Sequence, residues 1–169
     1  FAYYYGRVMG EYQNYSHLFT DVAFRWFETN AGGDLFYEYP DDYAAVLKYT
    51  HSQGIKAHLS VMYMDKAGLN ALLSQPANRT RLINNLINQV QEGPYDGVNI
   101  DFEFLGAADR NNFTSFLREL KARLGDEREL SVAVSACTRP ESWLAGYDYR
   151  AIGEIADRVV VMAYDYSYK

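Results

Sequence analysis

Apolar and polar positions along this chain switch between two periods, and the switching predicts its elements. From Ile55 to Met62 the period is two: Ile55, Ala57, Leu59 and Val61 share one face, while Lys56, His58 and Ser60 share the other. Residues 96–104 repeat the alternation, with Val98, Ile100, Phe102 and Phe104 opposite Gly97, Asn99, Asp101 and Glu103. Residues 130–136 do so again, setting Leu130, Val132, Val134 and Ala136 against the small Ser131, Ala133 and Ser135. Aromatic and β-branched runs at 1–5, 18–24 and 159–164 complete the predicted strands. Helical spacing falls between them. Tyr43, Val46, Leu47 and Thr50 lie in a helix over 42–51 that Gly54 closes, and Leu82, Ile83, Leu86, Ile87 and Val90 form a stripe ended by Gly93-Pro94. Phe113, Phe116, Leu117, Leu120 and Leu124 form another stripe before Gly125, and a short helix is expected at 149–156. No hairpin of adjacent strands is expected.

Strand followed by helix, repeated about six times, is the pattern of an α/β protein with right-handed crossovers and a parallel sheet. An open doubly wound sheet has helices on both faces, so its strands read apolar on both. The strands here carry one apolar face and one small or polar face, which fits a barrel with apolar residues under the helices. A (β/α)8 TIM barrel takes ~250 residues and at least ~200. At 169 residues the chain is expected to hold about the first six strand–helix units. The whole of 1–169 then reads as one incomplete barrel domain, a fragment with no linker or low-complexity stretch.

Composition narrows the function. Sixteen Lys plus Arg against 22 Asp plus Glu give a net charge of −6, which argues against a nucleic-acid partner. No apolar run approaches the ~20 residues of a membrane span. The opening Phe-Ala-Tyr-Tyr-Tyr-Gly reads as a first strand and not as a signal peptide, which leaves the compartment open. A single cysteine, Cys137, excludes an internal disulfide framework and a Cys-based zinc site. His17, His51 and His58 lack metal-ligand spacing, so neither a metal nor another cofactor is expected. The 16 tyrosines are the unusual feature, since an apolar ring with a polar tip suits a half-wet cleft.

The candidate chemistry lies in Asp96-Gly-Val-Asn-Ile-Asp-Phe-Glu103. On a strand, Asn99, Asp101 and Glu103 share a face at ~7 Å intervals. Adjacent buried carboxylates are costly and normally force one to hold a proton. A carboxyl kept protonated near neutral pH is what a general acid needs. Glu103 comes last, at the strand's C-terminal end, where barrel enzymes place catalytic groups. Two other readings stay open. The pair can simply meet solvent or cap a helix, or it can ligate a divalent metal if another strand adds an acidic cluster.

The same segment resembles the Asp-Gly-x-Asp-x-Asp-x-Glu signature of glycoside hydrolase family 18, which contains the chitinases and N-acetylglucosaminidases. Met162-Ala-Tyr-Asp165 resembles the family's Met-x-Tyr-Asp on strand six. Ser60 in Ser60-Val-Met-Tyr63 corresponds weakly to Ser-x-Gly-Gly, both glycines being absent. Tyr3 and Tyr5 share a face of strand one, where the family places ring-lined substrate contacts. Asn99 stands where chitinases carry the middle Asp, as it often does in the small bacterial group of spore-germination, cortex-lytic and sporulation-specific glycosylases.

The resemblance implies a substrate-assisted, retaining hydrolysis of β-1,4 bonds in N-acetylglucosamine-containing glycans, peptidoglycan or chitin. Glu103 would be acid and then base, and Asp101 would orient the substrate acetamide. Tyr164 would donate to its carbonyl oxygen, and Asn99 would donate to an ionised Asp101. Asp165, Met162, Tyr3 and Tyr5 would bind sugar, with Trp26 and Trp143 as further stacking candidates just after strands two and five. A polysaccharide is then the expected partner, and the cell exterior, envelope or spore the expected location. A non-catalytic glycan-binding relative remains an alternative, as does a fragment inactive alone. Its open edges at 1–5 and 159–164 offer sites of association.

Overall fold

A curled sheet of parallel strands carries the molecule. The computed structural model describes residues 1–6, 8–136 and 145–164. Its strands β1 (Ala2–Tyr4), β2 (Asp21–Thr29), β4 (Lys56–Tyr63), β5 (Gly97–Phe102), β6 (Glu129–Ser135) and β7 (Arg158–Met162) are hydrogen-bonded side by side in that order. All five pairings are parallel. Between them run α1 (Met9–Tyr15), α2 (Tyr43–Ser52), α3 (Lys66–Ser74), α4 (Pro76–Glu92), α5 (Arg110–Leu124) and α6 (Tyr149–Ile155). A doubly wound sheet reverses its strand order at a switch point. This order never reverses, so the sheet winds one way, as six strands of a (β/α) barrel.

The apolar faces do what their period requires. Val98, Ile100 and Phe102 of β5, and Val132 and Val134 of β6, are buried against the stripes of α4 and α5 in one continuous core. Leu82, Leu86, Phe113, Phe116 and Leu120 complete that layer with no exposed surface.

Four expectations need correcting. A hairpin does exist: β3 (Leu35–Tyr37) turns back antiparallel on β2, pairing Phe27 with Tyr37 and Thr29 with Leu35. Its turn is held by Asn30, whose side-chain oxygen accepts from the amides of Gly32 and Asp34 at 2.9 and 3.1 Å. Gly33 there has φ +82°, and a side chain on it would collide with the Asn78 carbonyl. Second, β2 starts at Asp21 and runs on to Thr29, while residues 16–18 form a single tight helical turn. Third, Trp26 therefore lies inside β2, buried among the rings of Tyr4, Phe24, Tyr39 and Tyr43, and is a packing residue. Fourth, β7 ends at Met162, two residues early. The helices α1 and α3 were not expected. α3 buries Leu69, Leu72 and Leu73, and its first turn is capped by the Asp65 carboxylate at 3.1 Å from the Ala67 amide.

β2 also carries a bulge. Its register with β4 runs Phe24 to Leu59 and then Phe27 to Val61, so Arg25 and Trp26 stand against Ser60 alone. An extra residue of this kind re-aims the side chains around it. Arg25 and Glu28, three apart, both reach the inner side, with the guanidinium 3.9 Å from the Glu28 carboxylate.

Candidate active site

The inner side of the sheet is polar, and it is built in three layers along the strands. At the N-terminal end Asp21, Lys56, His58, Glu129 and Arg158 form a charge cluster. His58 Nε2 lies 3.1 Å from Asp21 Oδ1, and Arg158 sits 3.4 Å from Asp21 and 2.9 Å from Glu129. Lys56 also pairs with Glu129. Burial opposes charge on His58 and pushes its pKa down, although Asp21 pulls it back up. Asp21, His58 and Glu129 are the one group of three potential metal ligands among the described residues. Arg158 and Lys56 already neutralise both carboxylates, so the donor set fits a charge lock better than a dication. Gly97 belongs to this packing: a Cβ there would collide with the Glu129 carbonyl and lie 2.8 Å from His58 Nδ1. The glycine of the Asp-Gly motif is therefore a close-approach residue.

The middle layer is a girdle across three strands. Ser60 donates to Asn99 Oδ1 at 2.9 Å, and Asn99 Nδ2 donates to Ser131 Oγ at 3.0 Å. Burial and the charge of Asp101 push up the pKa of the Tyr3 hydroxyl. Tyr3 keeps 37% of its surface in solvent while its hydroxyl end points inward.

The top layer, at the C-terminal end, holds the carboxylates. Asp101 is only 7% exposed, and among the described residues its Oδ1 has no hydrogen-bond partner. Burial raises its pKa to about 6, the Glu103 charge adds to that, and Arg25 pulls the other way. Glu103 follows the last residue of β5, half-buried, with its amide donating to the Tyr63 carbonyl at 3.0 Å. The chain then turns sharply. Phe104 has φ +62°, the only positive φ on a non-glycine among the described residues. Tyr164, 75% exposed, lies two residues past β7 at the same end, and Tyr3 feels the charges of Asp101, Tyr164 and Glu103 together.

The structure thus gathers Tyr3, Asn99, Asp101, Glu103 and Tyr164 around one mouth. Met162 sits in β7 beside Ser135. Tyr5 turns its ring to Arg25, 5.1 Å from the guanidinium, and so stands to one side. Asp165, Trp143 and Cys137 lie outside the described residues. Two residues near the mouth were missed. Arg25 donates from Nε to the Met62 sulfur at 3.1 Å and acts on Asp101, and only the bulge brings it there. Buried Tyr147 donates to the Phe102 carbonyl at 2.7 Å and fixes the end of β5 just before Glu103. It comes from a loop that carries no periodic signal.

The model of glycosyl hydrolases family 18 matches residues 1–169. This chain belongs to that family. The Bacillus subtilis protein YdhD, assigned as a sporulation-specific glycosylase, is 32% identical over 166 residues, which is 94% of this chain and 38% of that protein. A cortical fragment-lytic enzyme of Bacillus subtilis is 33% identical over 110 residues, 63% of this chain and 25% of the enzyme. A chitinase from Chromobacterium violaceum superposes with a TM-score of 0.87 and 26% identity, over 99% of this chain and 56% of the chitinase. The family 18 chain thus spans 38% or less of these two curated relatives and about half of the solved structure.

Proposed function

We propose that this chain carries the catalytic residues of a glycosidase that cuts β-1,4 bonds in N-acetylglucosamine-containing glycans, peptidoglycan or chitin. The observation that carries the proposal is the buried Oδ1 of Asp101, without a hydrogen-bond partner among the described residues, beside Glu103 at the open end of β5. A buried carboxylate oxygen without a donor is costly unless a ligand supplies one. The N–H of a 2-acetamido group is such a donor. With the acetamide held by Asp101, its carbonyl oxygen attacks the anomeric carbon as the glycosidic bond breaks. Glu103 gives its proton to the departing oxygen, and an oxazolinium forms with the Tyr164 hydroxyl bonded to the former carbonyl oxygen. Glu103, now ionised, takes a proton from water. The water oxygen attacks the anomeric carbon, the ring opens back to the acetamide, and the configuration is retained.

Asn99 acts in this scheme by position. Its girdle bonds hold the inner row, and as a neutral amide it spares Asp101 a second charged neighbour. Tyr3, Met162 and Asp165 contact the sugar bound there, with Tyr5 at the rim. The polymeric substrate places the enzyme outside the cell, in the envelope or at the spore. Support comes from relatives named as a cortical fragment-lytic enzyme and a secreted chitinase of Penicillium expansum. No helix among the described residues is long and apolar enough to cross a membrane.

Glu103→Gln in the natural gene product should lower turnover of a chito-oligosaccharide or peptidoglycan fragment by roughly two to four orders of magnitude, as expected for a lost general acid. Oligosaccharide binding by calorimetry should persist. Near-normal turnover would remove the mechanism. Binding with no hydrolysis by the unaltered protein would instead favour a glycan-binding relative, which the retained Glu103 argues against.

A further inference from the structure

A cation stands in the catalytic layer, held chiefly by neutral groups. Arg25 enters the inner side of the sheet through the β2 bulge, where it and Trp26 oppose Ser60 alone. Its side chain is only 24% exposed. Nε donates to the Met62 sulfur at 3.1 Å, the Tyr5 ring lies 5.1 Å away, and the solvated Glu28 carboxylate lies 3.9 Å away. A thioether and a ring fix the guanidinium without cancelling its charge. Met62 is also the register partner of Asp101 across β4 and β5, so the sulfur that holds Arg25 sets it at the level of Asp101. The other groups around Asp101 bring no positive charge. Glu103 acts on it with like sign, while Met62 of β4 and Ser135 of β6 are neutral. Burial first, and then the carboxylate charges, push up the pKa of Tyr3 on β1 and of Tyr147 before α6, so both stay neutral, and Tyr164 past β7 acts on Tyr3 in turn. Among the described residues, Arg25 is the cation that acts on Asp101.

We infer that Arg25 is a positioning residue for the reacting proton: its cation, set at the level of Asp101 by the bulge and the Met62 sulfur, holds the charge of the carboxyl pair on Asp101 and leaves the proton on Glu103. The inference rests on the proposed glycosidase function and deepens it. When the pair holds one proton, Asp101 must be ionised to accept the acetamide N–H. Glu103 must then carry the proton that the departing oxygen receives. Burial favours the opposite arrangement, since it disfavours charge on Asp101. A positive charge at that level works against the burial. Asn99, the neighbour of Asp101 in the inner row, is a neutral amide and cannot share the proton. The guanidinium on β2 therefore supplies, from another strand, the bias that β5 lacks. Arg25 transfers no proton itself, because a guanidinium stays protonated throughout.

The test is the pH dependence of kcat/KM for a chito-oligosaccharide or peptidoglycan fragment, measured on the natural gene product and on its Arg25→Gln and Arg25→Lys forms. The acid limb of that profile follows ionisation of Asp101 in the free enzyme. Arg25→Gln should move it upward by roughly 0.5–1 pH unit, less than the ~1–3 units of an Asp in contact with an Arg. Arg25→Lys keeps the charge and should return most of the shift. A second measurement needs no turnover. The gap in melting temperature between the protein and its Asp101→Asn form widens with pH and levels off near the folded pKa of Asp101, about 6. In the Arg25→Gln background that plateau should begin at a pH higher by the same amount. An acid limb or a plateau that stays put in Arg25→Gln would overturn the inference and leave Arg25 a packing residue. So would a Lys form that shifts as far as the Gln form. No hydrolysis by the unaltered protein at any pH would strike the proposed function itself, a separate result, because the melts read the coupling of Arg25 to Asp101 without substrate.

Discussion

Asp101 gives up solvation on folding and recovers no hydrogen bond at Oδ1 among the described residues, so the fold disfavours its charge. Its pKa rises from 3.8 to about 6, and the folded state holds a proton in that interval that the unfolded chain has lost. Stability therefore falls as pH rises through about 6, by up to ~3 kcal/mol once Asp101 is ionised. Asp21 has the opposite sign. Burial raises its pKa, but bonds from Thr20 and His58 and the charge of Arg158 outweigh this and hold it low, so its contribution is lost in acid. Asp101→Asn removes the first effect alone. We expect the variant to gain stability over the natural protein at pH 8 and to lose that advantage at pH 4, while its hydrolytic activity collapses. Thermal melts of both proteins across that range check it, and a pH-independent difference would refute the assignment. Period-two alternation over 96–104 made Asn99, Asp101 and Glu103 legible as one row. Arg25 was not legible, because period two breaks at a bulge that leaves no mark of its own in composition.

At the scale of elements, the same motif contains a residue whose work is packing. Gly97 lets β5 approach the Glu129 carbonyl of β6 and the His58 ring of β4. Gly97→Ala should force these strands apart and cost roughly 1–3 kcal/mol, the range of core overpacking. Activity should fall with it, since Asp101 and Glu103 ride on the displaced strand. Denaturant unfolding measures the first effect, and a fully stable variant would show that the sheet can absorb the methyl group. The long stripes of α4 and α5 and the alternating strands were readable because each repeats its period several times. The helices α1 and α3 and the strand β3 are too short for that. The Asn30-Ala-Gly-Gly-Asp34 turn did carry a signal, an asparagine that caps its own turn and a glycine at positive φ. It lost to the regular strand–helix rhythm on either side.

Across the whole molecule, the sheet curls until Arg158 on the last strand meets Asp21 on the second, 3.4 Å apart, with His58 and Glu129 between them. That cluster, buried at Asp21 and His58 and open to solvent at Arg158, ties β2, β4, β6 and β7 at one end, yet it does not close a cylinder. Among the described residues, β1 and β7 each have a strand neighbour on one side only. On β7 the outward Val159 and Val161 are 41% and 56% exposed, where Val132 and Val134 on the adjacent strand are fully buried. An eight-stranded barrel fixes tilt and shear so that the first and last strands pair, and six strands cannot satisfy them. Unpaired backbone beside exposed valines is a template for further pairing. A polypeptide of these 169 residues alone is therefore expected to associate through β1 and β7, or to unfold far more readily than a complete barrel. Sedimentation velocity over a hundredfold concentration range should show mass rising above 19.4 kDa, and Val159→Lys/Val161→Lys should suppress it. A monodisperse, cooperatively folding monomer at every concentration would mean that the curl held by Arg158 is enough, and that the open edges are protected by the sheet's own twist.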